Sequence, residues 1–208
     1  MNHERLHNLT DGIFAIVMTL MVLELRVPTI NGSSNLALWT GVKQESAIFI
    51  SYAISFALLF VYWRAHNFVV TVLARNINTT LLSMNGLFLF LVGLAPFTTQ
   101  LLGAYPAIPL SHCIYALNVI FIGLTLLMMR AYIEKSSSIE SLDRTREQRL
   151  AAFARTLTPI FFAAAAIPLS FINTNISFAI LIAAVVYNFS PQAGNTTLSV
   201  LRFFRLIQ

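Results

Sequence analysis

Arg5-Leu-His-Asn-Leu-Thr-Asp-Gly-Ile-Phe-Ala-Ile-Val-Met-Thr-Leu-Met-Val-Leu-Glu-Leu-Arg-Val27 is the stretch whose reading decides the fold. It opens with ionisable groups at Arg5, His7 and Asp11. An apolar run follows from Gly12 to Leu23, interrupted only by Thr19, and Glu24 and Arg26 close it. At a rise of ~1.5 Å per residue the stretch is about 34 Å long as a helix, enough to cross a bilayer. Ionisable groups at the edge of an apolar span are costly unless paired or wetted, so they read as functional by default. Ile16, Leu20 and Leu23 fall at i, i+4 and i+7 and share one helix face, with Thr19 beside it.

The rest of the chain repeats that pattern. Pro28 and Asn31-Gly-Ser-Ser34 end the first span, and a loop carrying Trp39 and Lys43 follows. Trp39 is expected at the membrane interface, where an amphipathic ring is favoured. Apolar stretches at about 45–70, 77–102, 111–133, 150–171 and 176–189 read as five further spans. Pro96 is expected to kink or end the third. The last is the shortest. The polar segment at about 134–149 reads as a loop and 190–208 as a tail. The expected architecture is all-α: one polytopic domain over 1–208, with six transmembrane helices per subunit.

Composition agrees with a membrane protein. Of 208 residues 57% are hydrophobic and only 10% charged, against ~25% charged in an ordinary soluble domain. The net charge of +5 does not point to nucleic acid, because no groove-reading motif accompanies it. The basic residues sit between spans, where they set orientation. With the N-terminus in the cytoplasm, Arg5, Arg64, Arg75, Arg130, Lys135, Arg144, Arg146, Arg149, Arg155, Arg202 and Arg205 fall inside. Only Arg26 and Lys43 fall outside, eleven cations against two. Six spans return the C-terminus to the cytoplasm, so the expectation is a multi-pass protein of the cytoplasmic membrane with both termini inside. Cys113 is the single cysteine, so no intrachain disulfide forms. The first run is preceded by Glu4 and Asp11, which reads as a retained helix, not a cleaved signal.

An enzyme is disfavoured. The chain has no phosphate-binding glycine loop, dinucleotide fingerprint, zinc helix motif or Gly-x-Ser-x-Gly elbow. His3, His7, His66 and His112 lack metal-ligand spacing, so no metal or cofactor is expected. Polar residues on the second span carry more information. Trp63, His66 and Asn67 fall at i, i+3 and i+4, one face. Lipid would leave them unsatisfied, whereas a neighbouring helix can pair them with Thr10, Asp11 or Asn85. The plainer reading is a structural network between the first three spans. The sharper one is that the network sets the tilt of the first helix and titrates through His66. The Ile16, Leu20 and Leu23 stripe is ambiguous on periodicity alone, since any membrane helix shows one.

Arg5, Leu9, Thr10 and Asp11 resemble the Arg-x-x-x-Phe-Ser-Asp signature of the lysosomal-type (endolysosomal) potassium channel family, in its bacterial single-repeat branch. Trp63-Arg-Ala-His66 is similar to that family's Trp-x-x-His. Asn85 and Leu94-Ala-Pro-Phe-Thr98 resemble features of its third helix. Leu9 stands where Phe is usual and Thr10 where Ser is usual. The likeness is specific over about the first 100 residues and topological beyond. It implies a homotetramer in a lipid bilayer that passes monovalent cations, K+ foremost, with the first helix of each subunit lining a central pore. It implies a constriction at Ile16, later layers at Leu20 and Leu23, and a hydroxyl beside the constriction at Thr19. Two other classes stay open: a transporter using Asp11, Glu24 or His66 as proton sites, and a non-transporting membrane scaffold.

Overall fold

The computed structural model describes residues 3–30, 32–73, 77–135 and 146–190. Most of the expected loop, the tail beyond Ser190, and Arg75, Arg144, Arg202 and Arg205 of the charge count lie outside the described residues. Every regular element among the described residues is helical: α1 (His3–Leu20), α2 (Asn35–Gln44), α3 (Ser46–Asn67), α4 (Thr79–Gly93), α5 (Ala95–Ala104), α6 (Pro109–Lys135), α7 (Arg146–Ile172) and α8 (Thr174–Phe189), with a 3₁₀ turn at Met21–Glu24 after α1 and a π-helical turn at Phe68–Leu73 after α3.

Five helical stretches among them are long and apolar enough to cross a membrane: Glu4–Glu24, Ser46–Val70, Thr79–Ala104, Pro109–Lys135 and Phe153–Ile172. The sixth apolar helix, α8, has 16 residues and is about 24 Å long, short of a ~30 Å hydrocarbon core. Asn173 joins it to α7 in a single residue and caps it, its side-chain oxygen accepting from Asn175 N at 2.8 Å.

Two boundaries differ from the sequence reading and the expected break at Pro96 is present, each for a local reason. The first span tightens into a 3₁₀ turn at Met21–Glu24 and leaves the helix at Leu25, ahead of Pro28, which has no N–H to bond the Glu24 carbonyl four residues back and whose ring would clash with it in a helix. The expected loop around Trp39 is a ten-residue helix, α2. Ser34 starts it by accepting from Ala37 N at 3.1 Å, an N-cap that satisfies one orphan donor. The third span is two helices. Pro96 has no N–H to continue the ladder, so α4 ends at Gly93 and α5 begins at Ala95. Asn118 on α6 mends the break: its Nδ2 donates to Leu91 O at 3.0 Å, and its Oδ1 accepts from Thr98 Oγ1 at 3.3 Å. Membrane helices tolerate proline where a neighbour re-satisfies the freed backbone in this way.

α1 lies on α3, α4 and α5, while α6 and α3 join that group to the α7–α8 pair. Leu6, Phe14, Val17 and Met21 of the first span enter a core shared with Leu81, Phe88 and Val92. Gly103 lets α5 approach α3 closely: a Cβ there would lie 2.8 Å from Ile48 Cα. Such contact is how small residues serve helix association when lipid removes the hydrophobic drive between helices.

Candidate functional site

The first span has two unlike faces. Toward the bundle it buries Leu6, Thr10, Phe14, Val17 and Met21. Away from it, Ile16, Leu20 and Leu23 are 58%, 47% and 72% exposed, and Leu9, Asp11 and Thr19 are exposed with them. The stripe read from the sequence is therefore the face of α1 that the described residues leave most exposed. The Thr19 hydroxyl lies 2.7 Å from Ala15 O and 2.9 Å from Ile16 O. Donating its proton to the helix leaves its acceptor lone pairs available outside.

Behind that face, the polar groups of three spans meet. The Asn85 amide sits between two of them. Its Oδ1 is 2.6 Å from His66 Nε2, and its Nδ2 donates to Thr10 Oγ1 at 3.5 Å. With Oδ1 as acceptor, His66 carries its proton on Nε2. His66, Asn85 and Thr10 are each about 1% exposed. The imidazole stacks on Phe88 at 4.9 Å, and Phe88 meets Phe14 of α1 at 5.9 Å. Nearer the surface, Trp63 Nε1 donates to Asp11 Oδ1 at 2.8 Å, a bond that ties α3 to α1 at the edge of the span. Two of the expected positions lie apart from these bonds: Asn67 is half-buried at the end of α3, and Arg5 is exposed on the first turn of α1.

The sequence reading missed a second buried cluster. Thr99 donates to Ser55 Oγ at 2.8 Å, and Ser55 donates to the Tyr115 hydroxyl at 3.0 Å, joining α5, α3 and α6. Ser55 stood out as a polar residue in the second span, but its partners lie 44 and 60 residues away. A third group, His112, bridges Ser177 Oγ at 3.0 Å and Pro106 O at 2.9 Å. Among the described residues no three His, Cys, Asp or Glu side chains gather as a metal site.

Residues 5–96 match the family described as the endosomal/lysosomal potassium channel TMEM175. The matched family is TMEM175. The matched range is the part of the chain in which the first three spans carry the resemblance. Among curated relatives, a potassium channel of Chamaesiphon minutus is 30% identical over 131 residues, 62% of this chain and 63% of the relative. A potassium channel of a Chryseobacterium species is 34% identical over 103 residues, half of each chain. A third, from Streptomyces collinus, is 31% identical over 101 residues. The chain thus spans between about half and just under two thirds of the relatives it matches. The fold likeness extends further. The crystal structure of a lysosomal potassium-selective channel TMEM175 homolog from Chamaesiphon minutus superposes with a TM-score of 0.74, over 89% of this chain and 95% of that one, at 25% identity. The all-helical bundle with its five long apolar helices is a TMEM175-like membrane fold.

Proposed function

We propose that the chain is a potassium-permeable cation channel with an apolar gate. The single observation that carries this reading is the uncovered Ile16, Thr19, Leu20 and Leu23 face of the first span, opposite a face fixed by Thr10 and Phe14. Relatives named as potassium channels support it. Residues 1–208 form one channel domain of six spans, α8 being the last. Four subunits surround a central pore in the cytoplasmic membrane, with both termini in the cytoplasm, and α1 of each lines the pore. Ile16 makes the first constriction, and Leu20 and Leu23 make the later layers. Thr10 and Asp11, with Trp63, His66 and Asn85, hold α1 at its tilt; Arg5 and Leu9 complete the signature motif, and Asn67 shares the polar face of α3. No cofactor takes part, and K+ is the permeant ion.

The physics of such a gate differs from that of a carbonyl filter. An apolar ring cannot replace an ion's hydration shell, so it gates by dewetting and passes only partly dehydrated ions. Potassium gives up water more readily than sodium, so preference for it is real but modest. The Thr19 lone pairs provide one compensating oxygen per subunit at the narrow level.

The experiment is a reversal-potential measurement in liposomes with potassium on one side and sodium on the other, alongside native mass. A tetramer whose reversal shifts toward the potassium equilibrium value supports the reading. Ile16→Asn wets the ring, and is expected to raise conductance and lower potassium preference. A dimer or monomer, or a tetramer whose Ile16→Gly form still carries no current, would sink it. Saturable uptake driven by a pH gradient would favour a carrier built on Asp11 and His66 instead.

A further inference from the structure

The connection between the first span and α3 carries a pocket that the proposed pore does not use. The chain turns at Pro28, and α2 folds back onto it. Gly41 packs so closely that a Cβ there would meet both Pro28 and Ile30 at 3.0 Å. This fold-back leaves a pocket of about 160 Å³ between the end of the span and the start of α3. Pro28, Val42, Ile48 and Phe49 give it apolar walls, and Arg26 and Glu45 line it too.

Among the described residues neither Arg26 nor Glu45 makes an ion pair or side-chain hydrogen bond, with the other or with anything else. Glu45 stands at the N-terminus of α3, yet its carboxylate does not cap the helix. Opposite charges in one apolar pocket, held too far apart to neutralise each other, fit a ligand that itself carries both signs. The pocket lies where one span ends at Glu24 and the next begins at Ser46, the level of lipid headgroups. Trp39, exposed on α2 with Lys43 Nζ 5.3 Å from its ring, marks the same level.

We infer that this pocket seats a zwitterionic phospholipid with a primary ammonium headgroup. The phosphate bonds to the Arg26 guanidinium, whose planar fork matches it. The ammonium donates to the Glu45 carboxylate. The first methylenes of an acyl chain lie against Val42, Ile48 and Phe49. An anionic lipid places its excess negative charge beside Glu45, and a quaternary ammonium has no N–H for it. A free phosphate leaves the apolar walls empty. The inference rests on the chain spanning a bilayer, not on what it conducts.

Native mass spectrometry of the delipidated full chain tests it, using phosphatidylethanolamine, phosphatidylcholine and phosphatidylglycerol with identical acyl chains. The ethanolamine lipid is expected to bind roughly tenfold more tightly than either of the others, the scale of one charge-assisted hydrogen bond. Arg26→Gln weakens all three, while Glu45→Gln removes the ethanolamine preference. Lys43→Gln, outside the pocket lining, leaves it unchanged. Both pocket variants alter side chains without internal partners, and circular dichroism checks that they fold. Equal binding of the three lipids overturns the proposal, as does a preference that survives both pocket substitutions. Displacement of the ethanolamine lipid by inorganic phosphate overturns it as well, because the site would then be one for a small anion.

Discussion

The two faces of the first span follow opposite rules. The face against α3, α4 and α5 mixes large apolar side chains with Thr10, and its polar group has a partner on a neighbouring helix. The outer face carries branched apolar residues that stay 47–72% exposed. The lesson is a division of labour within about twenty residues. One side encodes where the helix sits, and the other is free to meet water, lipid or another copy. A substitution on the first face should therefore change folding, and one on the second should change flux with folding intact.

The largest effect is expected at Phe14, which is buried against Phe88. Phe14→Ala should destabilise the subunit by about 3 kcal/mol, because the cavity is not refilled. Unfolding in mixed micelles titrated with denaturing detergent measures this. A change as small as that at an exposed site would break the contrast. Asn85→Ala comes next. It strands His66 and Thr10 and should cost about 1–2 kcal/mol, the upper range for interhelix hydrogen bonds in membranes. Trp63→Phe keeps the ring and loses only the bond to Asp11, so about 0.6 kcal/mol is expected in the same titration. At the small end, Thr19→Ala and Leu23→Ala should leave stability within about 0.5 kcal/mol. If Thr19→Ala also leaves the potassium-to-sodium reversal potential untouched, its hydroxyl has no part in ion passage, and the outer face loses that claim.

What could be read from the chain alone follows from the range of each interaction. The long spans were legible because apolar runs report on the solvent around a helix, not on its neighbours. The break at Gly93 and Ala95 was legible because Pro96 acts on its own backbone. The Trp63, His66 and Asn85 positions stood out because polar groups in lipid need partners, although spacing alone did not say that Asn85 pairs with His66 and Asp11 with Trp63. α2 lies where the sequence alone points to a loop. Its ten residues include Gly41 and Lys43 and are too short for a period to show, and its one signal, Ser34 as a cap, doubles as a terminator of the preceding span. The Ser55, Thr99 and Tyr115 chain escaped because its members come from three helices and no local pattern links them.

The stitch at the α4–α5 break also has a timetable. Leu91 precedes Asn118, which donates to its carbonyl, by 27 residues. At roughly 5–20 residues per second a ribosome needs about 1–5 s to make that interval. For that time the broken turn of the third span lacks this donor. Until α6 arrives the Leu91 carbonyl is held only by the Leu94 N–H of its own turn, at 3.2 Å, so the kink gains its second donor only once the following helix has been synthesised.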